Sequence, residues 1–68
     1  MEIQMKTYIA RDRDGELCLY FGQKPFKGSD FWDIESLDNM IYLNSDLFSE
    51  VKWENEEPTE VEVTIKLK

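Results

Sequence analysis

The sequence predicts a mainly β fold, a small antiparallel sheet of four to five strands with one short helical turn near 46–50. Three observations lead to this prediction: an apolar run with two apolar faces, an Asp-Gly turn before it, and a C-terminal stretch that alternates between apolar and polar residues. The sheet would be strongly curved and could close as an SH3-like roll. An α+β arrangement with a longer helix through 44–52 is the alternative.

The run at 16–21 predicts the central strand of the sheet. Its side chains would alternate between two faces, with Leu17, Leu19 and Phe21 on one and Cys18 and Tyr20 on the other. A strand that is apolar on both faces is typical of the inside of a sheet, where both faces are covered. We therefore expect this strand in the middle of the sheet, with Leu19 fully buried.

The residues before this run predict a β-hairpin. Residues 5–10 alternate as a first strand, and Asp14-Gly15 then supplies the positive φ that a tight turn requires. Because alternating runs flank this turn on both sides, the first two strands should pair antiparallel.

The connection at 22–29 contains two glycines and a proline, which interrupt the strand pattern. In residues 30–34, which follow, Phe31 and Trp32 are adjacent. If this segment is extended, only one of these two rings can face the core, because neighbouring residues of a strand point to opposite faces. The other ring must be covered by a loop or exposed to solvent.

The second half of the chain predicts two more strands. Residues 40–43 form a short apolar run, and the following Asn44-Ser45-Asp46 places three helix-capping residues before the helical turn at 46–50. Residues 51–53 are expected to be extended, and an acidic loop follows at 54–58. The last strand, at 59–67, would pair with 51–53 or with an earlier strand through an apolar face of Val61, Val63, Ile65 and Leu67.

One domain spanning residues 1–68 is expected, because no repeat or linker divides the chain. A domain of this size buries only about 60% of the surface of its unfolded chain. The single cysteine excludes an internal disulfide, and no histidine is present to build a zinc site with it, so no cofactor or metal is predicted. The nine aromatic residues must therefore supply much of the core, and some could remain for a partner.

The charge of the chain argues against several classes of partner. Fifteen acidic and eight basic residues give a net charge of −7, which disfavours direct binding to nucleic acid and to anionic membranes. No apolar run approaches the length of about 20 residues that a spanning helix needs. A lone free thiol fits a reducing cytoplasm best, so we expect a cytoplasmic protein.

Three candidate catalytic or metal sites are weaker than their structural alternatives. Cys18 has no histidine to activate it and lies in an apolar run, so core packing is expected. The pair Asp12 and Asp14 before Gly15 resembles the start of a calcium loop, but an apolar strand follows where further ligands should be. Glu60 and Glu62, about 6.8 Å apart by strand rise, are expected on a solvated strand face rather than in a sugar cleft. We therefore predict no enzymatic activity.

A set of short segments distributed over most of the chain carries a resemblance to other proteins: Tyr8-Ile9-Ala10-Arg11-Asp12, Asp14-Gly15-Glu16-Leu17, Leu19-Tyr20, Lys24-Pro25, Trp32, Leu47-Phe48, Val51-Lys52-Trp53-Glu54 and Pro58-Thr59-Glu60-Val61. In these segments the chain resembles small uncharacterised proteins of gut Bacteroides-type bacteria and of their phages or mobile elements. The resemblance implies a phage or mobile-element setting. It implies no functional residue, because such proteins have no assigned activity.

Phe26, Phe31 and Trp32 are the candidate partner-binding residues, because they lie in or beside the least regular part of the chain. Either these rings cover an open end of the sheet, or they form an exposed aromatic patch ringed by Lys24, Lys27, Asp30 and Asp33, as in many protein interfaces.

The function predicted from these observations is that of a small non-enzymatic accessory protein that binds another protein, and a homodimer is compatible with it. The alternative is an acidic DNA mimic that inhibits a DNA-binding protein. In that alternative, a row of carboxylates imitates the phosphates of DNA. The row is formed by Glu54, Glu56, Glu57, Glu60 and Glu62.

Overall fold

A computed structural model of the chain describes the backbone of residues 2–67 and the side chains of residues 6–36, 38–64 and 67. It contains a four-stranded antiparallel sheet in the order β5-β2-β1-β6 and a separate two-stranded ribbon of β3 and β4. The strands are β1 (Glu2–Arg11), β2 (Leu17–Phe21), β3 (Phe26–Lys27), β4 (Trp32–Asp33), β5 (Met40–Leu43) and β6 (Thr59–Lys66). A 3-10 helix, Leu37–Asn39, precedes β5. The predicted mainly β fold is confirmed.

The predicted hairpin of the first two strands is present. β1 and β2 pair antiparallel, with Ala10 opposite Cys18. In the turn, the Asp12 amide donates to the Glu16 carbonyl at 2.8 Å, and Gly15 adopts a φ of +98°. The Asp-Gly pair therefore does what the sequence predicts, because the glycine takes up the left-handed conformation that closes the turn.

β2 lies inside the main sheet, and both of its faces are covered, as predicted. On one face, Cys18 and Tyr20 are buried together with Ala10 and Trp32. On the other, Leu17 is buried against Ile9 and Val51, with Leu19 packed at the margin. The fully buried leucine of β2 is therefore Leu17 and not Leu19, because Val51 covers the end of the strand next to the hairpin turn.

The last strand is fastened by β1. β6 runs antiparallel to β1, with Thr7 opposite Val61 and Met5 opposite Val63. Residues 51–53 do not form the predicted extended partner, since they lie in a loop that places Val51 in the core. The predicted apolar face is only partly covered. Val61 and Val63 are half-buried and Leu67 is exposed, while the side chain of Ile65 lies outside the described residues.

The predicted helical turn near 46–50 is wrong, and so is the longer helix through 44–52. The segment forms two consecutive turns, in which Leu47 donates to the Asn44 carbonyl and Val51 donates to the Phe48 carbonyl. Phe48 adopts a φ of +50°, which a right-handed helix does not contain. The capping signal of Asn44 is real, but its side chain accepts the Asp46 amide at 2.8 Å in a local turn instead of starting a helix.

The main sheet is open. Within residues 2–67, its outer strands β5 and β6 each pair with a single neighbour, so their pairing does not close the sheet into the roll that the sequence allowed. Separately, none of the helical structure in this part of the chain has the length and apolar character required to traverse a lipid bilayer.

We expect Leu17→Ala to destabilise the protein more than Leu19→Ala. Removing the fully buried Leu17 side chain should cost about 2–5 kcal/mol, the range for buried leucines that leave a cavity. The half-buried Leu19 should cost less, because water can fill part of the space that it leaves. Urea denaturation of both variants measures the difference, and an equal loss of stability would contradict the arrangement of this core.

Candidate protein-binding surface

A cleft of about 590 Å³ opens on the face of the main sheet that Trp32 covers. Three parts of the chain line it: the hairpin turn after β1, the segment around β4, and the β2–β5 face of the sheet. The lining residues are Asp12, Arg13, Asp14, Glu16, Tyr20, Asp30, Phe31, Trp32, Asp33, Ile34, Met40 and Tyr42. We call this the acidic aromatic cleft, because most of its lining residues carry a carboxylate or an aromatic ring.

Trp32 forms part of the cleft wall and is held in place by the end of β1. Its backbone amide donates to Asp12 Oδ1 at 2.9 Å, and its indole Nε1 donates to the Arg11 carbonyl at 3.0 Å. Its ring meets Trp53 edge to face, with 6.4 Å between the ring centroids. With only 5% of its surface exposed, Trp32 belongs to the core. It is therefore not part of an exposed patch, contrary to one of the two arrangements considered from the sequence.

Phe31 is the exposed member of the adjacent pair. It is 54% exposed at the cleft, as expected when its neighbour Trp32 points inward. Phe26 is equally exposed, at 55%, but lies on β3 opposite Asp33 and does not line the cleft. The structure thus brings Phe31 and Trp32 together and leaves Phe26 outside. Whether Phe26 and Phe31 bind a partner stays a prediction.

Tyr42 is a cleft residue that the sequence analysis missed. It lies on β5 opposite Cys18, and 68% of its surface is exposed. The alternation of residues 40–43 predicts that Tyr42 shares a face with Met40, but not which face of the sheet that is. The pairing of β5 with β2 decides this, and it could not be deduced from the local sequence.

The carboxylates of the cleft come from the hairpin turn and from the flanks of β4. Oxygens of Asp12, Asp14 and Glu16 lie within 4.8 Å of one another. Two of these carboxylates hold the local backbone, since Asp14 Oδ1 accepts the Glu16 amide and Asp12 Oδ1 accepts the Trp32 amide. The Asp14 side chain thus has the turn-forming role that the sequence favoured over a calcium loop, whereas the Asp12 side chain ties the turn to β4.

Electrostatics at the cleft are dominated by negative charge. Five of its lining residues are acidic, and its single basic residue, Arg13, is paired with Asp30 at 3.2 Å. Partial burial raises the pKa of Asp12, as does the neighbouring charge of Asp14, while the hydrogen bond from the Trp32 amide lowers it. The acidic side chains therefore repel one another, and a positive charge placed among them would be attracted.

The carboxylates of the predicted DNA-mimic row are partly neutralised. Glu57 pairs with Lys24 at 3.0 Å, and Glu60 pairs with Lys6 at 3.6 Å. All four side chains of these pairs are well exposed, so each pair contributes little to stability, but each places a positive charge beside the row. The row is thus less uniformly negative than the sequence suggests.

Cys18 is a poor candidate for a nucleophile. Its thiol is buried in the core beside Tyr20, and this burial raises its pKa from 9.0 to about 11. The hydrogen bond with Tyr20 opposes that shift, whereas nearby carboxylates add to it. Since the thiolate is the reactive form, the environment of Cys18 suppresses its reactivity.

The chain was compared with protein-family models, with curated proteins and with solved structures, and no match was found in any of the three. The resemblance to small proteins of gut bacteria and their phages therefore stays a prediction.

We expect Trp32→Ala to cost about 3–5 kcal/mol of folding free energy, because it removes a large buried ring and the hydrogen bond of its indole. Phe31→Ala is the matched control. Its ring is exposed, so the change should stay within about 0.5 kcal/mol. Thermal and urea unfolding of the two variants measures both, and a Trp32→Ala variant as stable as Phe31→Ala would place Trp32 outside the core.

Stability should fall as the pH rises from 9 to 11, because the unfolded Cys18 thiol loses its proton near its ordinary pKa of 9.0 while the folded thiol retains it up to about 11. The contribution of this thiol is complete below pH 9 and declines by up to about 1.4 kcal/mol per pH unit within that window. Urea unfolding across this range should show a shallower decline for Cys18→Ala, in which the other ionisable groups remain. Parallel pH profiles for the two proteins would argue against a buried thiol.

Proposed function

We propose that this chain is a non-enzymatic accessory protein that binds a basic segment of another protein in its acidic aromatic cleft. One observation carries the proposal: exposed aromatic rings and a group of carboxylates line the same cleft of about 590 Å³. Aromatic residues are enriched in protein interfaces, and a cleft supplies the concave surface in which a side chain can be held.

The chemistry of the cleft fits lysine or arginine side chains. Their aliphatic stems can pack on Phe31 and Tyr42, which are both more than half exposed. Their charged heads would then lie near Asp14, Glu16 and Asp33 and could stack on an aromatic face. Arginine fits best, because a carboxylate can accept two parallel hydrogen bonds from a guanidinium group.

The charge of the whole chain supports the same class of partner. A net charge of −7 attracts a basic partner over a distance and repels nucleic acid and anionic lipid. The proposal includes action in the cytoplasm, where the buried Cys18 thiol would stay reduced. It includes no catalytic step, because the cleft combines no nucleophile with a base to activate it.

A random peptide library selected against the immobilised protein tests the proposal without a known partner. We expect the selected peptides to carry an excess of arginine and lysine and to bind less tightly as salt rises. The double variant Phe31→Ala/Tyr42→Ala should lose at least about tenfold in affinity for them, as aromatic anchors commonly do. Selection of neutral or acidic peptides would contradict the proposal.

Two matched controls separate the cleft from the remaining surface. Phe26→Ala removes an equally exposed ring outside the cleft and should leave affinity unchanged. Asp14→Asn/Glu16→Gln should weaken binding, whereas Glu56→Gln/Glu57→Gln removes the same charge elsewhere and should have a small effect. If replacing Glu56, Glu57, Glu60 and Glu62 by glutamine abolishes binding while the cleft variants do not, the DNA mimic is the better description.

A further inference from the structure

The outer edge of β6 offers a second binding surface. It is the edge of the main sheet opposite to the edge formed by β5. β6 is eight residues long and pairs with β1 on one side only, within residues 2–67. An edge strand of this length presents a row of unpaired backbone groups that can extend the sheet with another strand.

The alternation of hydrogen bonds identifies which residues of β6 point outward. The Gly22 amide donates to the Lys6 carbonyl, so the even-numbered residues of β1 direct their backbone groups towards β2. The odd-numbered residues of β1 therefore face β6, and they pair with the odd-numbered residues from Thr59 to Ile65. It follows that the even-numbered residues of β6 have backbone groups free at the outer edge, and these are Glu60, Glu62, Thr64 and Lys66.

We propose that two copies of this chain associate by antiparallel pairing of β6 with β6, with the two-fold axis at Val63. In this register Glu60 lies opposite Lys66 of the second copy, and Glu62 lies opposite Thr64. Only even-numbered residues then face each other in hydrogen-bonded pairs, as the free backbone groups require. The result is a continuous eight-stranded sheet.

The charges of β6 favour this register over its neighbours. With the axis at Val63, Glu60 and Lys66 of the two copies occupy opposite register positions, and no two like charges are directly opposed. With the axis at Glu62, the Glu62 residues of the two chains would lie opposite each other. With the axis at Val61, Glu60 of one chain would lie opposite Glu62 of the other. Moving the axis to Thr64 avoids both clashes but shortens the overlap of the two strands. The sequence of β6 is therefore self-complementary in charge at one extended register.

The half-exposed valines of β6 support a second copy as the occupant. At the axis, Val63 would face Val63 of the other chain in a non-hydrogen-bonded pair, the type in which side chains lie closest. The register also places Val61 opposite Ile65. Pairing would thus cover apolar surface that the fold of one chain leaves half-exposed. It leaves the acidic aromatic cleft free, because the cleft is lined by β2 and β5 and not by β6.

Light scattering coupled to size exclusion tests the proposal with a charge exchange. The wild-type chain should elute with twice the chain mass at submillimolar concentration. Glu60→Lys should raise the dissociation constant by about tenfold or more, since two cross-strand pairs change from opposite to like charge. Lys66→Glu should do the same. Glu60→Lys/Lys66→Glu should restore the dimer, and an equimolar mixture of the two single variants should form a heterodimer.

A backbone variant tests the edge directly. Thr64→Pro removes an N–H that points away from β1, so the single chain should keep its sheet while the dimer is lost. Thr64→Ala is the control and should remain dimeric, because it retains that N–H. A wild-type chain that stays monomeric, or a dimer that the single charge variants and Thr64→Pro leave unchanged, would overturn the proposal. Circular dichroism of each variant shows that its sheet is intact.

Discussion

The rest of the structure depends on the hydrogen bonds that the Arg11 side chain donates. Its guanidinium donates hydrogen bonds to five backbone carbonyls, those of Gly15, Ser45, Leu47, Phe48 and Val51, at distances of 2.7 to 3.3 Å. An arginine has five N–H donors in a rigid plane, and few other side chains could satisfy so many diverging carbonyls. Hydrogen bonds to charged groups typically contribute about 1.5–3 kcal/mol, and the bonds to Val51 and Gly15 are the two that are partly buried.

The adjacent Asp12 performs the corresponding task on the other face of the sheet. Arg11 holds the loop that carries Val51 over one core, while the Arg11 carbonyl and the Asp12 carboxylate fix Trp32 over the other. Lys27 then joins β3 to the loop after Val51, because its ammonium donates to the carbonyls of Trp53 and Asn55 and lies 4.4 Å from the centre of the Trp53 ring. A domain with no disulfide is thus held together by side chains that bind backbone carbonyls and, in the case of Asp12, a backbone amide.

Local pattern predicted the parts of the fold whose causes are local. The hairpin depends on Asp14 and Gly15, and the inner position of β2 follows from its two apolar faces. The conformation of 46–50 could not be predicted in this way, because the carbonyls of Leu47 and Phe48 bind Arg11, which is 36 and 37 residues away. The sequence predicted only part of the cleft. Because Phe31 and Trp32 are adjacent, it predicted that one of the two rings faces the core and that the other does not. Only the tertiary fold adds Tyr42 and the turn carboxylates.

Because Cys18 is buried, the rate at which its thiol is chemically labelled can measure the opening motions of the main sheet. The thiol lies in the middle of the main sheet, with Ala10 and Tyr42 as its cross-strand neighbours and 1% of its surface exposed. An alkylating reagent can reach it only when β2 separates from its covering residues, so the labelling rate reports how often the centre of the sheet opens. Because the chain has no other cysteine, the signal comes from a single known position and needs no engineered probe.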